Sequence, residues 1–431
     1  MLKKYILPFF SYLPGKELLK NSWTLIWGVA LSQLTIFGFQ IWIRRLYSPA
    51  IFGVYDVYLN VFSILVVIAS FRYEYAIVNP KKIKTRVNVL AVSWLNITIF
   101  SVVLFFLLLI FNEHFAALIN FPLSYSRWLY FLPVSVFLFS SYQAINIFFI
   151  REKYFRISSV NKINRRFWEG TMQSFLGVIQ KPVGLIAGHI FSNAINLIVG
   201  IWQLIKRDFS IKQISLSKMK YVYKRYANFP KQSLIPHLLN TLSFSIPILY
   251  VNKFYGSESA GYLGLSRTVL AVPISLISAS LSQVLLQKFS ERRIKKLPLK
   301  SEISKLALFL LALIIPVTII LRLWSKELFV FIFSLKWTMA GALTQILVFS
   351  FSLQFIVTPL TSFFITYEKF KVQAVWQTMY FLLILSLYFF QTIDFISFVK
   401  IYLFIDLFSY FIYFIILYQQ VLLADKKLHV S

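Results

Sequence analysis

Apolar positions in this chain come in long runs, separated by short stretches rich in lysine and arginine. A helix needs about 20 apolar residues to cross the hydrocarbon core of a bilayer, so each run reads as one membrane crossing. Twelve crossings are predicted, over 19–43, 54–79, 87–111, 127–150, 157–180 and 183–205, then 230–252, 259–287, 302–323, 338–366, 372–391 and 395–420. An even number places both termini on one side. The first twenty residues lack a small-residue cleavage site and read as a retained tail.

Charge then orients the spans. Of the 44 lysines and arginines, 33 fall in the tails and loops of one face. Positive charge collects on the cytoplasmic side, so both termini are predicted to be cytoplasmic. This sorting also explains the net charge of +29, which in a soluble chain would suggest nucleic acid as partner. Apolar residues are 58% of the chain and charged residues only 14%, so most of it must face lipid or other helices. With no cysteine, disulfides, thiolate metal sites and thiol catalysis are excluded.

The pattern repeats. Leu46–Arg86 runs from a polar turn through an apolar span to a basic stop, and Phe254–Lys296 does so again 208 positions later. Tyr47 falls on Tyr255 and Gly53 on Gly261. The longest basic connection, Lys206–Gln232, lies between the sixth and seventh crossings. The expected architecture is therefore an all-α integral membrane protein of two six-helix bundles, 1–206 and 230–431, joined by a linker over 207–229. Six crossings per half make the repeat parallel, with sites where the halves meet. Pro230, Pro236 and Pro247 in the seventh crossing mark a bent helix, either a gate or a static kink.

Ionisable groups inside spans are the candidate chemistry, because lipid does not tolerate them. In the second crossing, Asp56, Asn60, Ser63, Ser70 and Glu74 fall within about 80° on a helical wheel. The stripe is expected to face a wet interior, or else to hold helices together. Arg72 lies about 160° away from Glu74 and can snorkel to the interface. The fifth crossing places Lys162, Arg166, Glu169, Gln173 and Gln180 on one side, where Glu169 either lines a cavity or pairs with Arg165 or Arg166. Arg267 sits in the eighth crossing among Gly264, Ala271, Ser278 and Ser282, which leave room around a guanidinium suited to phosphate oxygens. Asp406 lies mid-span beside Tyr402, Tyr410 and Tyr413, poised either to exchange a proton or to stay neutral and hydrogen-bonded. His114, His189, His237 and His429 show no metal-ligand spacing, though His237 shares a side with Asn240 and Thr241.

At FGVY (Phe52–Tyr55), RYEYAIVNPK (Arg72–Lys81), FFIREKYFR (Phe148–Arg156) and Ala260–Glu291 the chain resembles bacterial polysaccharide biosynthesis transporters of the O-antigen flippase (Wzx) type. These belong to the multidrug/oligosaccharidyl-lipid/polysaccharide (MOP) exporter superfamily. The resemblance covers eight crossings; the last four match in hydropathy alone. Asn252 stands where an acid is expected, which puts an acid role there in doubt. The resemblance implies a V-shaped, MATE-like pair of bundles moving an undecaprenyl-diphosphate-linked oligosaccharide across the inner membrane by alternating access. It needs no cofactor beyond a proton or sodium gradient, and its expected partners are membrane lipids, a polysaccharide polymerase and a chain-length regulator. Arg267, then Arg72, Arg166, Lys231 and His237, are the candidates for diphosphate and sugar. Asp56, Glu74, Asp406 and Glu169 are the candidates for ion or proton coupling.

Three rivals remain. A drug/cation antiporter of the same superfamily would want an acidic cavity, which Asp56, Glu74 and Glu169 allow and Arg267 opposes. A membrane glycan polymerase or ligase resembles this chain in span number but carries a large external loop. A passive scaffold needs no buried charge.

Overall fold

The computed structural model describes residues 16–207 and 209–430, with the side chains of 16–26, 279, 280, 283 and 427–430 left aside. Residues 1–15 of the predicted tail and Asp208 lie outside the described residues, as does the His429 side chain. Regular structure among the described residues is helical throughout. The long helices are α1 (Lys16–Leu46), α2 (Pro49–Ala69), α3 (Ile83–Leu118), α4 (Leu132–Arg151), α5 (Phe155–Val178) and α6 (Gly184–Ile205). A short α7 (Leu216–Arg225) leads into α8 (Asn228–Ile294), then α9 (Lys300–Phe333) and α10 (Thr338–Leu360). The one-turn α11 (Ser362–Thr366), α12 (Phe370–Leu385) and α13 (Phe395–Val430) complete the chain.

Nine helical stretches among the described residues are long and apolar enough to span a bilayer. The 67-residue α8 supplies two crossings, because it breaks at Gly256, where φ is 84°. Only glycine adopts that backbone without a steric penalty. The two arms fold back on each other: Arg267, eleven residues beyond the break, lies 4.0 Å from the ring of Phe244, twelve residues before it. With the more polar α1 and α5, twelve crossings result.

The second crossing differs from expectation. It begins at Pro49, capped by the Ser48 side chain, and stops at Ala69 instead of running to 79. Phe71 and Arg72 take left-handed conformations (φ 49° and 64°), and Tyr73–Val78 continues as a 3-10 helix. Glu74 is therefore off the α-helical stripe that starts at Asp56. The turn carries neither glycine nor proline, so nothing local announces it.

Packing follows the repeat. Gly53 of α2 meets the backbone of Ser257 and Gly261 on the second arm of α8, and Gly261 in turn meets Pro49 and Gly53. A Cβ at either position would overlap a backbone oxygen. Close approach at small residues is how helices associate when lipid is as apolar as their side chains. The lysine-poor end is further tied by Trp337 Nε1 donating to the Arg44 carbonyl (2.8 Å) and by Arg45 donating to the carbonyls of Phe331 and Ile332 (both 3.1 Å). Asn252 donates to the carbonyls of Ile119 and Asn120 (2.9 and 2.8 Å) and accepts from Ser257 (2.9 Å). A carboxylate could not donate those first two bonds, which accounts for an amide at this position. Two helices each leave one apolar face uncovered: α3 and α9 expose Ile99, Phe106, Ile110, Leu308, Leu323 and Phe331, a surface suited to acyl chains.

Candidate functional site

Arg267 occupies the junction of the two halves. Its residue is 3% exposed, with the guanidinium against Phe244 and 5.8 Å from the Tyr402 ring. Nε and Nη1 are buried and have no hydrogen-bond partner among the described residues. No carboxylate of a described residue forms an ion pair with it, although Asp56 and Asp406 are both close enough to interact electrostatically. A buried guanidinium with open donors is costly, so the position holds a charge the fold itself does not satisfy.

Small residues place Asp56 there. Its carboxylate presses on Gly264, three residues before Arg267, where any Cβ would collide with it. One oxygen, Oδ2, is buried without a partner. Gly264 is the repeat counterpart of Asp56 itself, at the 208-residue offset. Arg44 approaches the same carboxylate from α1: it is 3% exposed, stacks over Phe52 (3.8 Å) and Trp337 (4.5 Å), and bonds Gln40 through Nε (3.2 Å). Sequence alone assigns Arg44 to a loop; the 31-residue α1 carries it inside.

Towards the lysine-rich end the walls open. On α2, Asp56 and Asn60 are half-buried and Ser63 is exposed, while on α8 His237, Asn240, Phe244, Thr268 and Ser275 are exposed. Asn60 and Ser63 bond the carbonyls of Asp56 and Leu59 one turn back (both 2.7 Å), a local arrangement that needs no neighbouring helix. His237 lies near Arg72. Arg72 is 9% exposed and stacks on Tyr75 (3.9 Å), so it does not snorkel outward. Glu74 is equally buried and accepts from the Ser70 hydroxyl. Lys231 is exposed at the start of α8.

Three other predicted residues, Glu169, Arg166 and Asp406, lie in two further networks. Glu169 accepts from Arg166 (2.8 Å), Tyr55 (3.3 Å) and His189 Nδ1 (3.3 Å), with Arg165 at 3.9 Å. Arg166 is thereby engaged within the first half. Gln173 completes the network, donating to Tyr55 (3.2 Å) and the Leu185 carbonyl (2.9 Å). His189 joins only through the α5–α6 hairpin, which no spacing in the sequence signals. In the second half, Asp406 is fully buried and accepts from Tyr380 (2.7 Å) and Gln354 (3.3 Å). Of its predicted neighbours, Tyr410 and Tyr413 pack on Trp376 instead. Among the described residues no cluster of three histidines or acids could hold a metal ion.

This two-bundle helical fold is shared with solved transporters of the MOP superfamily. The chain belongs to the polysaccharide biosynthesis protein family, whose model matches residues 20–342. It is similar to the inward-facing conformation of a multidrug resistance MATE family transporter (TM-score 0.74, 12% identity, 92% of this chain and 96% of that one). It is also similar to the lipid II flippase MurJ in an inward closed conformation (0.71, 13%, 96% and 90%). A third similar structure is a MOP superfamily transporter from Pyrococcus furiosus, described by a reversed polarity of its binding pocket (0.62, 14%, 94% and 95%). No curated protein sequence matches.

Proposed function

We propose that this protein flips an undecaprenyl-diphosphate-linked oligosaccharide across the bacterial inner membrane by alternating access, for O-antigen, capsular or exopolysaccharide synthesis. The observation that carries this reading is the Arg267 guanidinium, buried at the junction with Nε and Nη1 unpaired. A diphosphate and glycan cannot cross hydrocarbon unaided, whereas a polyprenyl tail can stay in lipid. Arg267 offers diphosphate the planar donors it needs, and the exposed His237, Asn240, Ser63 and Tyr75 offer hydrogen bonds and an aromatic face to sugar. Lys231 adds charge at the entrance.

On this reading the lysine-rich end faces the cytoplasm, and residues 1–206 and 230–431 are the moving bundles. The glycine contact closes the exported end, so the conformation accepts cargo from the cytoplasm. Asp406, Asp56 and Glu74 are the coupling candidates, and the Tyr380 and Gln354 contacts make Asp406 the first to test. Deletion is expected to accumulate lipid-linked repeat units. Arg267→Ala should abolish surface glycan while the protein stays in the membrane, and Arg267→Lys should restore it only in part. Normal surface glycan in Arg267→Ala would remove the diphosphate assignment.

A second reading, a drug/cation antiporter, draws on the unpartnered Oδ2 of Asp56. It expects Asp56→Asn to lose efflux of organic cations with lipid-linked sugar unaffected.

A further inference from the structure

The connection between the halves does more than join them. Phe209 packs edge-on against Trp94 of α3 (6.1 Å), and Asn88 of α3 donates to the Gln213 carbonyl (2.9 Å) and accepts from the Ser215 amide (3.0 Å). At 1.5 Å rise per residue, Trp94 lies ~16 Å and Asn88 ~8 Å along α3 from its start at Ile83. The chain therefore dips alongside the first turns of a membrane helix and climbs back, and α7 begins about one and a half turns in. There the basic first turns of α3, with Lys84 and Arg86, give way to its apolar run, the sequence pattern of a span leaving the headgroups.

The surface of α7 matches that depth. Val222 is 1% exposed and anchors the helix with Met219 and Ile214 on the first half. Around it, Leu216 (83% exposed), Ile211 (70%) and Tyr221 (55%) stand uncovered among Lys212, Lys218, Lys220, Lys224 and Arg225. Residues 209–226 hold these five cations and no acid. Of them, only Arg225 has a side-chain hydrogen bond among the described residues, to Tyr221 (2.9 Å), and none pairs with a carboxylate. Apolar and aromatic side chains ringed by lysines at the interface are the composition of a helix that lies on an anionic leaflet.

We propose that α7 is a docking surface for anionic phospholipid headgroups, with the lysines on phosphate and with Leu216, Ile211 and Tyr221 in the acyl boundary. Its far side gives the contact a consequence. Tyr73 stacks on Tyr223 (5.1 Å) and donates to its carbonyl (2.9 Å), one residue after the left-handed Arg72. Lipid held by α7 thus steadies the 3-10 segment that bears Arg72 and Glu74.

The chain has no cysteine, so Ser217→Cys accepts a single nitroxide label on the exposed side of α7. The full protein is placed in nanodiscs of phosphatidylcholine alone or with phosphatidylglycerol, and label accessibility and retained lipid are measured. In phosphatidylglycerol discs the label should leave water, and phosphatidylglycerol should be retained over phosphatidylcholine, with both effects lost in high salt. Each lysine among Lys218, Lys220 and Lys224 changed to Gln should lower that preference about fivefold, the ~1 kcal/mol of one cation at an anionic surface. Equal retention of the two lipids by the unsubstituted lysines at low salt overturns the proposal. So does a label that stays in water in both discs and is shielded only by an acidic soluble protein. Transport is not read, so the outcome is independent of the flippase assignment.

Discussion

Two sites, the Glu169 network within the first half and the Arg267 junction between the halves, handle buried charge in opposite ways. In the first, Glu169 is enclosed by Arg166, Arg165, Tyr55 and His189, and every nearby cation faces a carboxylate. In the second, Arg267 has open donors, and the nearest acids, Asp56 and Asp406, stand off without pairing. A satisfied network sets the shape of a bundle; an unsatisfied charge keeps donors free for a ligand. Removing a partner from the first should damage folding, and removing Arg267 should damage function while leaving the fold intact.

The largest effect is expected at Glu169. Glu169→Ala removes the buried carboxylate that two half-buried guanidinium groups, Tyr55 and His189 all face, and should lower stability by about 3 kcal/mol. Thermal unfolding in detergent checks this, and a melting point equal to wild type would erase the contrast between the two sites. Next, Gly264→Val drives a side chain into the Asp56 carboxylate and forces α2 from α8. It should lower transport about 100-fold, ~2.7 kcal/mol in the barrier, and raise cross-linking access at the lysine-poor end. Unaltered cross-linking would mean the glycine contact does not hold that end shut. Asp406→Asn keeps the Tyr380 bond but removes the exchangeable charge, and should slow translocation about tenfold, ~1.4 kcal/mol. An unchanged pH dependence of translocation in that variant would strike Asp406 from the coupling list. The smallest effect is Asn252→Asp, which loses the amide donors to Ile119 and Asn120 and should cost about 1 kcal/mol of stability. A variant as stable as wild type would show that these bonds do not join the halves.

Much of the fold was legible because bilayer thickness imposes a period that residues cannot hide. The offset of 208 that aligned Gly53 with Gly261 pointed to the very pair that touches across the halves, since only glycine permits that approach. The end of α2 was not legible. FRYEYAIV is as apolar as the span before it, and its left-handed turn is made by Phe71 and Arg72 without a breaker residue. Within the site, Arg267 stood out because lipid forbids it. Arg44 did not, since its place at the end of an apolar run looks like an ordinary interfacial cation. Tyr380, Gln354 and His189 were invisible for another reason: their partners lie 26, 52 and 20 residues away, across helix pairs whose rotation the sequence leaves open.

The central claim is that Arg267 is left unpaired for a diphosphate. Binding of undecaprenyl diphosphate to the purified protein, with undecaprenol as the uncharged control, tests it most directly. The account predicts that wild type prefers the diphosphate, that Arg267→Ala binds both lipids alike, and that Glu169→Gln keeps the preference. A preference for diphosphate that survives intact in Arg267→Ala would contradict it.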